Sequence, residues 1–187
     1  MVKKNLCVFI SGKGTNLNNL IKKSREYNFP VKIKLIVSNN INAEGVKYAK
    51  INSIPLIFIN TKLDNFEHKI LKELKRYDIS LICLAGYMKI ISKNFIKLFR
   101  KKIINIHPSL LPKFKGLNTF SRVIKNKEIK SGCTVHFVNE KLDSGKTIVQ
   151  KYFFINEFDK ENDIRIKTQK LEYLAFPEAI IKLYRNN

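Results

Sequence analysis

The stretch LCVFISGKGTNL, residues 6–17, joins a short apolar run to a glycine-containing loop and to the first turn of a helical segment. Leu6–Ile10 is an unbroken apolar run of strand length, which predicts a buried strand. Apolar residues recur at helical spacing from Leu17 onward. A strand that passes through a tight loop into a helix is the first part of a βαβ unit, so this stretch predicts an α/β fold.

The remaining sequence repeats the alternation of strands and helices. The predicted strands are Leu6–Ile10, Val31–Val37, Pro55–Ile59, Ile79–Leu84, Ile103–Ile106, Cys133–Val138 and Thr147–Phe154. The predicted helices are Thr15–Tyr27, Ala43–Asn52, Asn65–Tyr77, Lys93–Phe99, Thr119–Asn126 and Glu161–Tyr184. This order predicts one α/β domain over residues 1–187, with a mainly parallel, twisted sheet of about seven strands flanked by helices. The short polar loop between the last two strands predicts an antiparallel edge.

The chain is strongly basic, with a formal net charge of +21. Only six of its 36 basic residues are Arg, the lysines are spread over the whole chain, and this bias is typical of an AT-rich genome. A binding site for single-stranded nucleic acid would need clustered cations with interleaved aromatic residues. The charge therefore predicts a general attraction for anions, small phosphorylated molecules included, and no specific nucleic acid partner.

Three scattered cysteines, Cys7, Cys83 and Cys133, predict buried free thiols and no disulfide framework. The three histidines show no spacing typical of metal ligands, so we expect no metal. No apolar run approaches the roughly 18–20 residues that a membrane span needs. We therefore expect a cytoplasmic protein, monomeric or homodimeric, with no membrane partner.

The loop Ser11–Asn16 follows the first predicted strand and opens the first helix, where backbone N–H groups can bind an anion. The third glycine of a dinucleotide fingerprint would fall at Leu17, and no Walker pattern is present. The alternatives are a site for a single phosphate and a tight βα turn with an ordinary cap. Thr15 or Asn16 is a candidate to cap the helix or to donate directly to a phosphate. Six of the seven glycines lie in or beside post-strand loops or motif segments, whereas Gly45 lies apart.

The segment NIHPSLLP, residues 105–112, places an amide and an imidazole two residues apart at a strand end. Residues two apart in a strand share a face, and Pro108 ends the strand. The amide of Asn105 can stabilise an oxyanion, and His107 can move a proton between nitrogens, which suits acyl transfer to an amine. Asp143 is a candidate to hold His107 and raise its pKa. A structural histidine and a turn-forming aspartate remain the alternatives.

These motifs together resemble one family, the folate-dependent phosphoribosylglycinamide formyltransferases of purine synthesis. The resemblance covers nearly the whole chain and rests on motifs in the family's order. They are Ser11–Asn16, Leu84–Ile90, Asn105–Lys113, Val135–Val138, Leu142–Gly145, and Glu172 followed by Pro177. The resemblance implies a Rossmann-like formyltransferase fold.

The implied activity is transfer of the formyl group of 10-formyltetrahydrofolate, a co-substrate, to the amine of glycinamide ribonucleotide. Asn105, His107 and Asp143 match the family's oxyanion stabiliser, proton shuttle and carboxylate, and Thr134 matches a supporting position. Gly14, Thr15 and Asn16 would bind the substrate phosphate, and Glu172 its ribose. The implied folate-binding residues are Met88, Lys89, Ile90, Ile91, Asn105, Asn139, Glu140, Lys141, Leu142 and Asp143.

The chain departs from the family at several positions. Lys115-Gly116 replaces a Pro-Gly pair, Tyr173 follows Glu172 where a histidine is usual, and a family arginine near the folate tail falls at Leu63. The alternatives are a formyltetrahydrofolate hydrolase, an enzyme that formylates initiator tRNA, and a basic nucleic-acid-binding module with a vestigial site. The first two usually carry a further domain, and the even spread of lysine disfavours the third.

Overall fold

The computed structural model describes residues 2–185. Its strands are β1 Lys4–Ile10, β2 Val31–Ser38, β3 Leu56–Phe58, β4 Leu81–Leu84, β5 Lys102–His107, β6 Lys130–Phe137 and β7 Thr147–Phe154. Its helices are α1 Thr15–Ser24, α2 Val46–Ile51, α3 Phe66–Arg76, α4 Lys93–Phe99, α5 Thr119–Lys125 and α6 Glu161–Arg185. All predicted elements are present in the predicted order.

The seven strands form one sheet in the order β3-β2-β1-β4-β5-β6-β7. The pairs β1–β2, β1–β4 and β2–β3 are parallel, and β6–β7 is antiparallel. The predicted fold class, a mainly parallel α/β sheet with an antiparallel edge, is confirmed. The chain divides between Ile104 and Asn105 into two compact units. The single domain over residues 1–187 stays a prediction.

The first unit is built around β1, whose residues Leu6–Ile10 are completely buried. Leu6 lies opposite Ile33 of β2 and Leu81 of β4, so apolar strands flank it on both sides. Helix α1 buries Leu17, Leu20 and Ile21, which is the spacing expected of one helix face. This packing fixes the end of β1, and with it the loop that follows.

The second unit pairs β6 with β7 and packs α6 against both strands. Ala175, Phe176, Ala179 and Ile180 supply the buried face of α6, and Pro177 lies within this helix. The hairpin fixes the loop 138–146, because Val135 and His136 of β6 lie opposite Val149 and Thr147 of β7.

Three further observations concern the described residues as a whole. The three cysteines are free and buried, as predicted. Within residues 2–185, no helix is both long enough and apolar enough to cross a membrane. No group of three or more His, Cys, Asp or Glu residues in the same range is arranged to hold a metal ion.

Candidate active site

The predicted phosphate loop of the first unit connects β1 to α1 through Gly14. Gly14 is the N-cap residue of α1 and has a left-handed backbone, with φ 69° and ψ 26°. Glycine adopts this conformation without the steric cost that other residues incur. The N-cap residue is therefore Gly14, which has no side chain. Of the two roles suggested for Thr15 and Asn16, capping of the helix is wrong. The positive end of the helix dipole points toward this loop.

Gly45 was set apart from the loop glycines by the sequence, but it packs directly against them. Its N–H donates to the carbonyl oxygen of Gly12 at 3.0 Å. A Cβ atom on Gly14 would lie 2.5 Å from the Cα atom of Gly45, and one on Gly45 would lie 2.9 Å from the Cα atom of Gly14. The connection between β2 and α2 therefore supports the phosphate loop by backbone contact. Only the fold reveals this role, because 31 positions separate two glycines in direct contact.

The first half of the predicted folate site lies in the segment between β4 and α4. Met88, Lys89 and Ile90 are exposed, and Ile91 is partly buried. The exposed fractions of Met88 and Ile90 are 67% and 77%. The segment thus exposes two large apolar side chains at the surface.

A cleft of about 640 Å³ also lies in the first unit, between β3 and α3. Its walls carry apolar side chains, among them Phe58 and Leu63, and three cations, Lys69, Lys72 and Arg76. It includes Leu63, the position at which the resemblance places a family arginine. None of the predicted catalytic or substrate-binding residues lines it.

The second unit brings the three predicted catalytic residues together. Asn105 and His107 lie on β5, and Asp143 lies in the loop between β6 and β7. The Asp143 Oδ2 atom is 3.3 Å from His107 Nδ1, and Asn105 Nδ2 donates to Asp143 Oδ1 at 3.5 Å. All three side chains are fully or partly buried. The geometry matches what the Asn-x-His spacing predicts, because both side chains reach the same carboxylate.

His136 joins this cluster, although the sequence analysis assigned it no role. Its Nε2 atom lies 3.6 Å from Asp143 Oδ1 and 3.3 Å from Asn105 Nδ2. Its Nδ1 atom lies 2.8 Å from the carbonyl oxygen of Phe137, which accepts a hydrogen bond when Nδ1 carries the proton. The sequence signal for His136 was a histidine between apolar residues on a predicted strand. Its contacts with Asn105 and Asp143 are visible only in the folded chain.

Asp143 is fixed as a carboxylate by the groups around it. The backbone N–H of Gly116 donates to its Oδ2 atom at 2.9 Å. Burial alone would raise the pKa of Asp143, but the nearby His136, the hydrogen bond from Gly116 N and the nearby His107 outweigh burial and lower it. The carboxylate therefore stays ionised to lower pH than an ordinary aspartate.

His107 has an oxygen acceptor beside each ring nitrogen. Nε2 lies 2.8 Å from the Phe114 carbonyl oxygen, and Nδ1 faces Asp143. Burial lowers the pKa of His107 below its ordinary value of 6.5, while the Phe114 carbonyl and Asp143 act in the opposite direction. Asp143 contributes an increase to the pKa of His107, as expected, but the decrease caused by burial is larger. A neutral imidazole can donate to only one of the two oxygens, so the ring gains a hydrogen bond when it accepts a proton.

Thr134, the predicted supporting residue, is completely buried in β6. Its hydroxyl donates to the Ser109 carbonyl at 2.6 Å and accepts from Leu111 N at 3.1 Å and from Gln150 Nε2 at 2.9 Å. Thr134 thus holds the backbone just after His107 through the Ser109 carbonyl and the Leu111 N–H.

The other predicted binding residues of the second unit lie on α6 and in the loop 138–146. Glu172 is on α6 near Cys133, where burial, and after it this carboxylate, raises the pKa of the thiol to about 12. Asn139, Glu140, Lys141 and Leu142 are exposed. The Asn139 side chain accepts from Lys141 N at 3.0 Å, which shapes the loop that presents Asp143.

The lowered pKa of His107 predicts a loss of stability in mild acid. The unfolded chain binds this proton more readily, so the stabilising contribution is complete above pH 6.5 and declines as the pH falls toward the folded-state value. In His107→Gln the thermal unfolding midpoint should fall less between about pH 7 and 5 than it does in wild type. Exposed His68→Gln is the control and should leave the decline intact. An unchanged decline in His107→Gln would contradict the prediction.

The comparisons with known proteins agree with this fold. The model of the formyl transferase family matches residues 4–180. The chain is 39% identical to the phosphoribosylglycinamide formyltransferase of Haemophilus influenzae over 181 residues, which are 95% of this chain and 85% of that protein. It is 38% identical to the trifunctional purine biosynthetic protein adenosine-3 of Gallus gallus, over 95% of this chain but 18% of that protein.

A solved structure shows the same architecture. The crystal structure of phosphoribosylglycinamide formyltransferase from Anaplasma phagocytophilum superimposes with a TM-score of 0.92 at 34% identity, covering 99% of this chain and 89% of that one. The fold and the match over most of the chain define the class of protein, a folate-dependent formyltransferase. Within that class, the chain belongs to the phosphoribosylglycinamide formyltransferase family.

Proposed function

We propose that this chain transfers the formyl group of 10-formyltetrahydrofolate to the amine of glycinamide ribonucleotide, with Asn105, His107 and Asp143 as its catalytic residues. The contact that carries the proposal is the 3.3 Å approach of Asp143 Oδ2 to His107 Nδ1 inside a buried cluster. The family relationship supports formyl transfer in purine synthesis. The roles of individual residues rest on the geometry.

In this proposal the substrate amine attacks the formyl carbon directly. A C–N bond forms, the carbonyl oxygen becomes an oxyanion, and the C–N10 bond of the folate then breaks. The Asn105 amide has two N–H donors, which face Asp143 Oδ1 and His136 Nε2. One can stay on Asp143 while the other turns from His136 to stabilise the oxyanion. His107 takes the proton from the attacking nitrogen and returns one to the leaving nitrogen.

The imidazole is suited to this role because its pKa lies below 6.5. It is mainly neutral near pH 7 and can accept the proton, and Asp143 stabilises the imidazolium that results. Since Nε2 already faces the Phe114 carbonyl at 2.8 Å, a reacting nitrogen must take the place of that oxygen during transfer. The Phe114 carbonyl would therefore hold the ring in orientation until substrate binds.

The binding roles follow from the two units taken separately. Gly14, Thr15 and Asn16 would bind the substrate phosphate at the start of α1, where N–H groups and the helix dipole favour an anion. Glu172 would bind the ribose. Residues 88–91 and 139–143 would bind the folate, whose ring is apolar on its faces and rich in hydrogen-bonding groups at its edge.

The test is formyl transfer followed by the absorbance change of the folate, with wild type beside His107→Ala. Turnover that needs the ribonucleotide, and a loss of about 10²-fold or more in the variant, is the expected result. His68→Ala, a change at an exposed histidine of α3, is the matched control and should retain wild-type turnover. Deformylation without ribonucleotide would identify a hydrolase instead. A folded protein with no reaction would refute the proposal.

A further inference from the structure

The hydroxyl of Ser11 lies where three segments of the first unit meet. Ser11 follows β1, Asn39 follows β2, and Met88 follows β4. The Ser11 hydroxyl donates to Asn39 Oδ1 at 2.6 Å and accepts from the Met88 backbone N–H at 2.8 Å. The strands β2, β1 and β4 are parallel neighbours, so their carboxyl ends bring these residues together.

The two hydrogen bonds depend on each other. A serine hydroxyl has one proton, and once that proton is given to Asn39, a lone pair of the oxygen is free to face Met88. The Asn39–Asn40 turn is itself held, because Ser38 Oγ accepts from Asn40 N at 3.2 Å and donates to the Asn40 carbonyl oxygen at 2.8 Å. Asn40 Nδ2 in turn donates to the carbonyl oxygen of Ser11 at 3.2 Å. The hydroxyl therefore has a defined direction.

The segment that carries Met88 is anchored at both ends but exposed between them. Tyr87 is buried, and its ring packs edge-on against Phe9 with centroids 5.3 Å apart. At the other end, Ser92 N donates to Glu67 Oε1 at 3.1 Å. Between these anchors the Met88 and Ile90 side chains are exposed, so side-chain burial does not fix their position. The Met88 N–H bond to Ser11 ties this stretch to the phosphate loop.

We propose that Ser11 is a positioning residue that couples the folate-binding segment 88–91 to the phosphate-binding loop 11–16. The Ser11 hydroxyl, oriented by Asn39, fixes the position of the Met88 backbone N–H relative to the loop. The identities of the two ligands rest on the proposed function. The relay of hydrogen bonds itself rests on the contacts alone.

The kinetic consequence is a change in binding that is larger than the change in chemistry. Ser11→Ala removes both hydrogen bonds of the relay, and Asn39→Ala removes the acceptor that orients the hydroxyl. Each variant should raise the KM for the formyl folate by about 2- to 10-fold, with kcat within about 2-fold, as expected for the loss of one hydrogen bond. The two changes together should raise KM little more than Ser11→Ala does, because both act on the same relay.

A direct test uses the protein without substrates. The chain has two methionines, Met1 and Met88, so labelling with ¹⁵N-methionine leaves at most two amide signals, and the signal lost in Met88→Leu is that of Met88. Ser11→Ala should shift this amide signal and speed its hydrogen exchange, and Asn39→Ala should do so to a smaller extent. The matched control is Ser80→Ala, which removes a hydroxyl that donates to the Asn5 carbonyl at 3.1 Å. It should leave the Met88 amide unchanged.

The two proposals fail separately. An unchanged Met88 amide in folded Ser11→Ala would overturn the relay, whatever the enzyme's activity. A faster-exchanging amide with an unchanged KM for formyl folate would overturn the positioning role. If wild type transfers no formyl group, the proposed function fails, whereas the response of the Met88 amide still decides whether Ser11 holds the segment.

Discussion

Asp143→Asn is expected to lower kcat for formyl transfer by about 10²- to 10⁴-fold, the range associated with losing general acid–base catalysis. Gly116 N donates to Oδ2 of the carboxylate and Asn105 Nδ2 donates to Oδ1. His107 Nδ1 lies 3.3 Å from Oδ2, and His136 Nε2 lies 3.6 Å from Oδ1. An asparagine presents an NH₂ group to one of these pairs. It also removes the negative charge that stabilises the imidazolium of His107.

Asparagine is the suitable replacement because the backbone at Asp143 is left-handed, with φ 44°. Asparagine and aspartate adopt this conformation more readily than most residues do. The substitution therefore changes charge and hydrogen bonding while keeping shape and backbone preference. An alanine at this position would change all four and could not separate them.

The matched control is Asp159→Asn in the same unit. Asp159 accepts from Lys167 Nζ and Asn156 N, and these hydrogen bonds lower its pKa, as other donors do for Asp143. Asp159→Asn should lower the unfolding midpoint slightly and leave kcat nearly unchanged. Measuring kcat and the unfolding midpoint for both variants separates the two effects. Equal kcat in Asp143→Asn and wild type would show that the carboxylate has no catalytic role.

The sequence predicts the order of elements well because the strands that decide it are buried on both faces. β1 has an unbroken apolar run from Leu6 to Ile10, and such a run is visible without any tertiary knowledge. The ends are less accurate. β6 begins at Lys130 instead of Cys133, because Lys130, Ser131 and Gly132 join the sheet through backbone pairing with β7, and their side chains give no apolar signal.

Helix ends show the same limit. α1 was predicted to reach Tyr27 but ends at Ser24, where Arg25 N and Glu26 N donate to the carbonyls of Lys22 and Lys23. These are bonds between residues three apart, which tighten the last turn and end the helix. Hydrophobic spacing does not distinguish this tightened turn from a continuing helix.

At the candidate site, spacing along one strand predicts what shares a face, and Asn105 and His107 follow it. Contacts between distant segments do not follow from spacing. His136, the Phe114 carbonyl and Gly45 each reach the predicted residues through the fold. The same holds for the pKa of His107. A neighbouring carboxylate indicates an increase, but burial, a tertiary property, lowers the pKa overall.

Gly14→Ala is expected to raise the KM for glycinamide ribonucleotide by about 10- to 100-fold, from a backbone cost of about 1–2 kcal/mol for a left-handed alanine plus the cost of a clash. The added Cβ atom would lie 2.5 Å from the Cα atom of Gly45, a backbone atom that cannot rotate away. Either the loop or the β2–α2 connection must then move. The N–H groups at the start of α1 would lose their alignment on the phosphate.

Substitutions at two nearby glycines test whether the contact between Gly14 and Gly45 causes the higher KM. Gly45→Ala tests it from the other side: with φ −62° its backbone accepts alanine, yet its Cβ atom would lie 2.9 Å from Gly14 Cα and from Ile10 Cδ1. Gly12→Ala is the control, because a Cβ atom there meets nothing within 4 Å. Steady-state kinetics should show a raised ribonucleotide KM in the Gly14 and Gly45 variants and a nearly unchanged one in Gly12→Ala. If all three variants bind the ribonucleotide as wild type does, the phosphate is held elsewhere, and the β1–α1 loop is an ordinary turn.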